Sequence, residues 1–368
     1  MIGGSRIAIT AGRKESEAAH VEDAVVRAES APGDSIAEDS ISEGSISEGS
    51  ISEGSISEGS GSASSDASRS ATLIYNPKAG GGGGPEPETL QEMLSEAGYE
   101  PSYRATEAPE ELDAIFRESQ GLIVVAGGDG TFREVVRRLY GKERPVTLLP
   151  LGTANNAARS LGIQGSLGQV VAGLQQPQKV HLDVAKARGP WGEEFVLEGA
   201  GLGMFANILS AYRPDVGKSL VRAVTAAVNT FGDNPVRCRV ELDGERMDGE
   251  YLLLEVMNMR AIGPRLQLAP DADPTDGLLD VVLVKYENRD AWLAYFRGLM
   301  TSGLSDLPSV EVKRGRKLKV NWRASAFHVD GQTLCEDARE SETKTFSALI
   351  EVIPGALEVW LPSSTEGQ

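Results

Sequence analysis

Leu122-Ile-Val-Val-Ala126-Gly127-Gly128-Asp129-Gly130-Thr131-Phe132 is the stretch that carries the clearest structural signal in the chain. Its first five residues form a continuous apolar run rich in β-branched side chains, which predicts a strand buried on both faces. From Phe132, apolar side chains recur at i, i+3, i+4, i+7 and i+8 as far as Tyr140, which predicts an amphipathic helix. A buried strand, a glycine-rich turn and a helix in succession are typical of an α/β protein with a parallel sheet.

The same succession of strand and helix recurs on both sides of this stretch. Strands are predicted at Ala71–Tyr75, Tyr99–Arg104 and Val146–Pro150, each followed by a helix. Thr153 is predicted to open the last of these helices, because a hydroxyl side chain can cap a helix N-terminus. Right-handed crossovers bring the carboxyl ends of such strands to one edge of the sheet, where ligands bind. We therefore predict a parallel α/β nucleotide-binding domain at residues 71–178.

From about residue 180 the pattern changes to short strands that are separated by Asp-Gly turns. Two helices are predicted within this part, at Gly217–Asn229 and Ala291–Met300. We predict a mainly antiparallel β domain with helical insertions at residues 179–362. The predicted strands are Phe195–Leu197, Val236–Leu242, Tyr251–Met257, Leu278–Val284, Lys317–Trp322 and Ala356–Leu361.

Residues 1–70 differ in composition from the rest of the chain. They repeat the pentapeptide Ile-Ser-Glu-Gly-Ser four times over Ile41–Ser60 and hold 13 acidic and 5 basic residues, a net charge of 5 − 13 = −8. One isoleucine in five residues matches neither the period of a strand nor that of a helix, so no face can be buried. We predict that residues 1–70 form a disordered, acidic, low-complexity tail.

The composition of the whole chain excludes several classes of protein. Its 36 Lys and Arg residues stand against 54 Asp and Glu residues, for a net charge of −18, and a general nucleic-acid binder needs a basic surface. No apolar run approaches the roughly 18–20 residues that span a bilayer. Two cysteines, Cys238 and Cys335, are too few for a disulfide framework, and three histidines leave little room for a zinc site.

Glycines at the ends of two predicted strands indicate a phosphate site. Gly127, Gly128 and Gly130 let backbone N–H groups approach an anion, and the helix N-terminus adds partial positive charge. Gly152 follows the next strand and is predicted to complete the same cradle. The Asp129 carboxylate would repel phosphate unless it binds a metal ion or transfers a proton. Either role favours phosphoryl transfer as the reaction. The sequence Gly-x-x-x-x-Gly-Lys-Ser/Thr is absent, which excludes a P-loop protein, and the dinucleotide fingerprint does not follow the first strand.

Three motifs occur in a characteristic order: Asn76-Pro-x-x-Gly80, Gly127-Gly-Asp-Gly-Thr131 and Pro150-x-Gly-Thr153-x-Asn155. In this order and spacing they resemble the diacylglycerol kinase catalytic family, which includes bacterial lipid kinases, sphingosine kinases and ceramide kinase. The similarity extends from about Ala71 to Pro362. The stretches Asp273–Val281 and Val329-Asp-Gly-Gln332 support it.

The resemblance implies a kinase that transfers the γ-phosphoryl group of ATP to the hydroxyl of a diacylglycerol-like or sphingoid lipid, with ATP and Mg²⁺ as cofactors. It implies that residues 71–178 are the nucleotide-binding kinase domain and that the β-rich residues 179–362 bind the lipid substrate. Asp129 would lie at the phosphates, directly or through Mg²⁺. A structural Mg²⁺ would be held by the carbonyl of Asp273, the carboxylate of Asp276 and the carbonyl of Leu278, and hard oxygen ligands suit this ion. The residues implied to bind ATP are Asn76, Thr106, Gly127, Gly128, Gly130, Thr131, Phe132, Arg133, Gly152 and Thr153.

Two positions depart from the family pattern. Gln332 stands where the family usually has a glutamate proposed as the base, and Asn156 stands where it often has an aspartate. An amide can position a substrate but cannot accept a proton at pH 7. Asp129 and Asp330 are then the candidate bases, with Gln332 as a positioning group. Two alternatives stay open: an NAD kinase-like enzyme, and a non-catalytic pseudokinase that binds lipid or nucleotide.

A short basic segment stands out in this acidic chain, and it consists of Lys313, Arg314, Arg316, Lys317 and Lys319. It could contact anionic headgroups, at about 1 kcal/mol for each basic residue near the surface. The alternative is the solvated outer face of a β-hairpin. We expect a cytoplasmic protein that associates transiently with the membrane surface and binds no nucleic acid. The sequence leaves open a homodimer and the identity of the acceptor lipid.

Overall fold

The computed structural model describes residues 69–75, 84–106, 108–211, 235–263, 265–288, 290, 311–335 and 343–363. Residues 1–68 of the predicted tail lie outside the described residues. So do the predicted helix at 217–229 and the predicted helix at 291–300.

The N-terminal half is an α/β layer around a parallel sheet, as the strand–helix alternation predicted. Its strands are β1 (Arg69–Tyr75), β2 (Tyr99–Ala105), β3 (Leu122–Gly127) and β4 (Val146–Pro150). They are ordered β2-β1-β3-β4, and every neighbouring pair is parallel. The helices are α1 (Pro87–Glu96), α2 (Leu112–Glu118), α3 (Asp129–Leu139), α4 (Asn156–Ser160) and α5 (Leu167–Gly173).

Thr153 does not open a helix, contrary to the prediction, because α4 begins three residues later at Asn156. Asn155 explains the difference, since it has a left-handed backbone with φ of 52°. Its side-chain oxygen accepts a hydrogen bond from the Gly152 N–H at 2.9 Å, and its amide donates to the Gly152 carbonyl at 2.8 Å. These bonds hold residues 152–155 as a turn between β4 and α4.

The C-terminal half is mainly antiparallel β structure with one described helix, α6 (Met204–Ala211). Its strands are β5 (Gln178–Gly189), β6 (Gly192–Val196), β7 (Gly199–Gly203), β8 (Val236–Leu242), β9 (Glu245–Arg246), β10 (Gly249–Met257), β11 (Ala261–Ile262), β12 (Leu266–Gln267), β13 (Leu279–Lys285), β14 (Glu311–Gly315), β15 (Lys317–Trp322), β16 (Phe327–Val329), β17 (Gln332–Thr333) and β18 (Phe346–Leu361).

The central strands of this half are neighbours in the order β7-β10-β8-β15-β18, and β16 and β17 extend the sheet beyond β7. Two further groups of strands pair at the sides of this order. Strand β13 pairs with β10 and β14, and β5 pairs with β18 and β6.

The long strand β18 joins the two halves. Its last part pairs in parallel with β4 through Val359 and Val146, and its first part pairs antiparallel with β5 and β15. The register shifts between Ile353 and Leu357, where Gly355 has a φ of +59°. The sequence predicted only residues 356–361 of this strand, because Pro354 and Gly355 give the signature of a turn.

Three apolar clusters form the core among the described residues, and the third packs Met204 and Phe205 of α6 against β10 and β13. In the first, Leu122–Ala126 are buried almost completely, which confirms the predicted buried strand. The second lies among the antiparallel strands and includes Trp322, Tyr251 and Phe327. Within the described ranges, no helix has both the length and the apolar character that crossing a bilayer requires.

Candidate active site

Two glycine turns meet at the carboxyl edge of the parallel sheet. One follows β3 and the other follows β4, and the Leu151 N–H donates to the Gly127 carbonyl at 3.0 Å. A Cβ atom on Gly152 would lie 2.4 Å from the Cα of Gly128, closer than real Cβ contacts allow. Only glycine permits this approach of backbone to backbone, so the structure brings Gly127, Gly128 and Gly152 together as predicted.

Asp129 connects these turns to α4. It is the first residue of α3, and its Oδ1 accepts a hydrogen bond from the Ala157 N–H at 3.0 Å. The carboxylate therefore satisfies one of the free N–H groups at the start of α4. Its second oxygen, Oδ2, forms no hydrogen bond with the described residues and can serve a ligand of the two turns.

A small cavity of about 190 Å³ lies beside the N-terminus of α3. It is lined by Thr106, Gly130 and Thr131, three of the residues implied to bind ATP, together with residues of the β2–α2 connection such as Pro109. Two long segments of the chain thus contribute to one site at the helix N-terminus. This is where partial positive charge and free N–H groups favour phosphate oxygens.

Three other residues were predicted to bind ATP, namely Phe132, Thr153 and Asn76. The Phe132 side chain is fully buried in the first core cluster, and its N–H donates to the Gly128 carbonyl at 3.1 Å, so its side chain does not face the cavity. Thr153 is exposed on the β4–α4 turn, and its carbonyl accepts a hydrogen bond from the Arg265 guanidinium at 2.7 Å. Asn76 lies outside the described residues.

Arg133 connects α3 to the C-terminal half of the protein. Its Nε lies 2.7 Å from the Asp330 Oδ2, and the two side chains are only 12% and 2% exposed. Its Nη1 donates to the Gln332 Oε1 at 3.4 Å. The structure therefore brings together three predicted site residues that are distant in sequence, but the guanidinium is committed to Asp330 rather than free for ATP.

Asp330 holds the backbone of the β6–β7 connection. Its two oxygens accept hydrogen bonds from the N–H groups of Leu197, Glu198 and Gly199 at 2.8–3.0 Å. Burial raises the pKa of Asp330, and the Arg133 guanidinium and these three N–H groups oppose that rise. With both oxygens occupied, Asp330 is not open to a substrate hydroxyl. Its prediction as a base has no support in this geometry.

The predicted Mg²⁺ loop is closed by its own hydrogen bonds and by an arginine. The Asp276 carboxylate accepts from the Leu278 N–H at 2.9 Å and lies 2.6 Å from the Arg314 guanidinium. Asp273 accepts from the backbone and the hydroxyl of Thr275. Among the described residues no group of three or more His, Cys, Asp or Glu side chains could hold a metal. The carboxylate implied to bind Mg²⁺ is thus engaged by Arg314, whose Nε also lies 3.3 Å from the Asp280 carboxylate. In this structure Asp276 is paired with a cation of the protein rather than open to an ion.

The predicted basic segment is not a hairpin, because β14 pairs with β13 whereas β15 pairs with β8 and β18. Four of its five side chains form ion pairs. Lys313 pairs with Glu245, Lys317 with Glu351 and Lys319 with Glu241 at 3.2–3.3 Å, and Arg314 pairs with Asp276. Much of the positive charge of Lys313, Arg314, Arg316, Lys317 and Lys319 is therefore balanced within the protein.

Glu198 is a carboxylate in this region that the sequence did not single out. It lies between β6 and β7 and is 7% exposed. Burial raises the pKa of Glu198 to about 8, the negative charges of Asp330 and Asp129 add to the rise, and bonds from Gly263 and Asn156 oppose it. Its position directly before the glycine-rich strand Gly199–Gly203 was the available sequence signal.

A cleft of about 590 Å³ opens beside α4. Asn156 is part of its wall, and three exposed arginines line it, namely Arg159, Arg260 and Arg265. Its lining includes no acidic side chain although the protein carries a charge of −18. Such a cleft favours a ligand with a negative or strongly polar group.

Comparison with known proteins agrees with this fold. A family model of the diacylglycerol kinase catalytic domain matches residues 70–187, and a model of the YegS C-terminal NAD kinase beta sandwich-like domain matches residues 212–361. A diacylglycerol kinase of Staphylococcus aureus strain RF122 / ET3-1 is 30% identical over 302 residues, covering 71% of this chain and 91% of that protein. A diacylglycerol kinase of Bacillus subtilis strain 168 is 29% identical over 239 residues, covering 60% of this chain and 75% of that protein.

Solved structures show the same fold. A diacylglycerol kinase structure from Bacillus anthracis strain Sterne has a TM-score of 0.58 and 19% identity, covering 81% of this chain and 98% of that one. A second structure from that strain has a TM-score of 0.63 and 19% identity, covering 83% and 99%. The chain therefore belongs to a class of proteins in which a parallel α/β half with paired glycine turns is joined to an antiparallel β half. Within that class, the chain belongs to the diacylglycerol kinase family.

Proposed function

We propose that this protein is an ATP-dependent lipid kinase that phosphorylates the hydroxyl of a diacylglycerol-like or sphingoid lipid. The observation that carries the proposal is the contact of the Gly127–Gly128 turn with Gly152, beside a cavity lined by Thr106 and Thr131. This arrangement suits the phosphates of a nucleotide at a helix N-terminus. The relatives named diacylglycerol kinase support a lipid acceptor.

The reaction requires little covalent chemistry from the protein. The acceptor oxygen forms a bond to the γ-phosphorus, the bond from that phosphorus to the bridging oxygen of ADP breaks, and ADP leaves with the electron pair. The acceptor hydroxyl loses its proton to a base. Catalysis of this kind depends on positioning and charge stabilisation, which the rigid turns at Gly128 and Gly152 can supply.

Mg²⁺ belongs to the proposal as the ion that accompanies ATP. Asp129 fits it, because the Oδ1 is held by the Ala157 N–H and the Oδ2 is left for a ligand. When bound, the ion would neutralise charge on the phosphates. The Asp273–Leu278 loop is not part of this proposal, since Arg314 already pairs with Asp276.

We also propose transient contact with a membrane surface, because the acceptor lipid resides there. The ion pairs of Lys313, Lys317 and Lys319 argue for a weak electrostatic component. Arg316 forms no ion pair with the described residues and is the member best placed to contribute. Sedimentation with anionic liposomes, before and after charge reversal of these positions, measures that component.

The test of the function uses purified full-length protein with ATP labelled on the γ-phosphate, Mg²⁺ and a total lipid extract. Labelled lipid is expected after thin-layer separation, and its mobility identifies the acceptor. Asp129→Asn keeps an oxygen for the Ala157 N–H but loses the charge, and we expect turnover at least about 100-fold lower. Full turnover of this variant would contradict the proposed role of Asp129.

A second candidate is an NAD kinase-like activity, and the match of residues 212–361 to an NAD kinase beta sandwich-like domain is the observation that favours it. Replacing the lipid extract by NAD in the same assay separates the two. Label on NAD and not on lipid would overturn the lipid kinase proposal. ATP binding without label on either acceptor would support the pseudokinase alternative that Gln332 and Asn156 raise.

A further inference from the structure

We propose that Glu198 is the base that receives the proton of the acceptor hydroxyl, in place of the carboxylates that positions 156 and 332 lack. The inference rests on the proposed kinase function and concerns the same site. Three observations carry it. Hydrogen bonds place Glu198 beside the phosphate turns, and its Oε1 is free of hydrogen bonds from the described residues. The buried Oδ1 of the neighbouring Asn156 also has no hydrogen-bond partner among them.

The first two residues of α4 place Glu198 next to Asp129. Ala157 donates its N–H to the Asp129 Oδ1, and the preceding residue, Asn156, points its Nδ2 at the Glu198 Oε2 at 3.3 Å. The two carboxylates are therefore bonded to consecutive residues. The carboxyl of Glu198 therefore lies on the same side of α4 as the turns around Asp129, where the proposal places the γ-phosphate.

The backbone of Glu198 is held on both sides. Its N–H donates to the Asp330 Oδ1 at 2.8 Å, and its carbonyl accepts from the N–H groups of Asn258 and Met259 at 2.9 and 3.1 Å. A base that is fixed in this way needs no reorganisation before the proton moves. The ion pair of Asp330 with Arg133 then acts as a support for Glu198, which explains why Asp330 has no free oxygen.

One oxygen of Glu198 is committed and the other is free. The Oε2 accepts from the Asn156 amide and from the Gly263 N–H at 3.2 Å. Within the described part of the chain no hydrogen bond reaches Oε1. The Oδ1 of Asn156, a residue only 1% exposed, also has no partner there. A buried acceptor without a donor is costly, and a hydroxyl group of a ligand would satisfy it.

The arginine-lined cleft places open space next to Asn156, and a polar hydroxyl end of the acceptor can enter it. Asn156 lies in the wall of that cleft and bonds Glu198 behind it, so the carboxyl stands one residue from the space in which a ligand can lie. In the transfer step the O–H bond of the acceptor breaks and its proton moves to the Glu198 carboxylate. The oxygen keeps the electron pair and attacks the γ-phosphorus, and solvent later removes the proton from Glu198.

The charged groups that face Glu198 are Asp129 at the start of α3 and Asp330 before β17, which itself pairs with Arg133 of α3. With a pKa of about 8, the ionised fraction of Glu198 rises from about a tenth at pH 7 to about nine-tenths at pH 9. We therefore expect kcat/KM of the wild-type kinase, which reports ionisation in the free protein, to rise about tenfold over this range, since a base acts in its ionised form.

The test compares Glu198→Gln with Glu194→Gln, a matched change on the adjoining strand β6. Gln keeps an acceptor for Asn156 and Gly263 and removes a carboxyl whose pKa is raised by burial, so we expect unfolding stability at least equal to that of the wild type, and unchanged ATP affinity. We expect kcat to fall at least about 100-fold at pH 8, and the rise of kcat/KM with pH to be lost. Glu194→Gln should match the wild type in all four measurements.

Three outcomes overturn the role of Glu198 while leaving the kinase function intact. They are retention of more than half of kcat in Glu198→Gln, a wild-type kcat/KM that is flat from pH 7 to pH 9, and a gain of tenfold or more in kcat of Gln332→Glu. The last would show that the base belongs at position 332. Wild-type protein that labels no lipid would instead overturn the proposed function, and the role of Glu198 with it.

Discussion

Replacement of Asp330 by asparagine tests whether this carboxylate organises the protein. The change removes the negative partner of Arg133, whose side chain is only 12% exposed, and weakens the bonds to Leu197, Glu198 and Gly199. Removal of one partner of a buried ion pair costs about 3–5 kcal/mol, because the other charge stays buried without compensation. The asparagine oxygen can still accept some of the N–H groups, so we expect a loss of about 3 kcal/mol.

Urea unfolding followed by circular dichroism measures this loss as a change in the free energy of unfolding. The matched control is Glu250→Gln, which breaks the exposed pair with Arg237, where the two charged atoms lie 2.6 Å apart. We expect that control to lose less than about 1 kcal/mol, since solvent screens an exposed pair.

A double variant separates the ion pair from the backbone bonds. Arg133→Met combined with Asp330→Asn removes both charges, and we expect it to lose less than the sum of the two single variants. The reasoning is refuted if Asp330→Asn loses no more stability than Glu250→Gln, or if the two single changes add without coupling.

Two further predictions concern the glycine turns and the proposed metal loop. Gly152→Ala places a Cβ 2.4 Å from the Gly128 backbone and should cost about 1–3 kcal/mol of unfolding free energy, whereas Gly130→Ala meets nothing within 4 Å and should cost none. Equal stability of the two variants in urea unfolding would contradict the close contact. Arg314→Ala leaves Asp276 without its cation, so we expect Mg²⁺ to raise the melting temperature of this variant and not that of the wild type. A wild-type protein that Mg²⁺ stabilises just as much would show that the loop binds the ion despite Arg314.

Local patterns in the sequence predicted the elements that lie around the phosphate turns. The apolar run Leu122–Ala126 and the helical spacing from Phe132 need only neighbours in the chain, so both elements lie where they were expected. Thr153 was misjudged because the left-handed backbone at Asn155 competes with the helix. Strand β5 was missed, and Pro354-Gly355 concealed the first part of β18, since their pairing depends on partners far along the chain.

The site residues also divide into those whose role the sequence predicts and those whose role depends on tertiary contacts. The glycines at 127, 128 and 152 mark a phosphate site in the sequence, because a close backbone approach requires them wherever they occur. The surroundings of the carboxylates depend on tertiary contacts instead. Asp330 accepts from Leu197, which is 133 positions away in the chain, and Asp276 faces Arg314 across two strands.

The sequence by itself determined the α/β class, the order of the two halves and the phosphate turns, because hydrophobic period and glycine placement are local properties. Only the tertiary structure decided which carboxyl oxygens of the site are committed to partners and which are open. Asp330 is enclosed by three N–H groups and a guanidinium, while Glu198 keeps one oxygen open beside Asn156. The availability of an acid or base depends on burial and on hydrogen-bond partners, and both are set by segments that meet only in the folded chain.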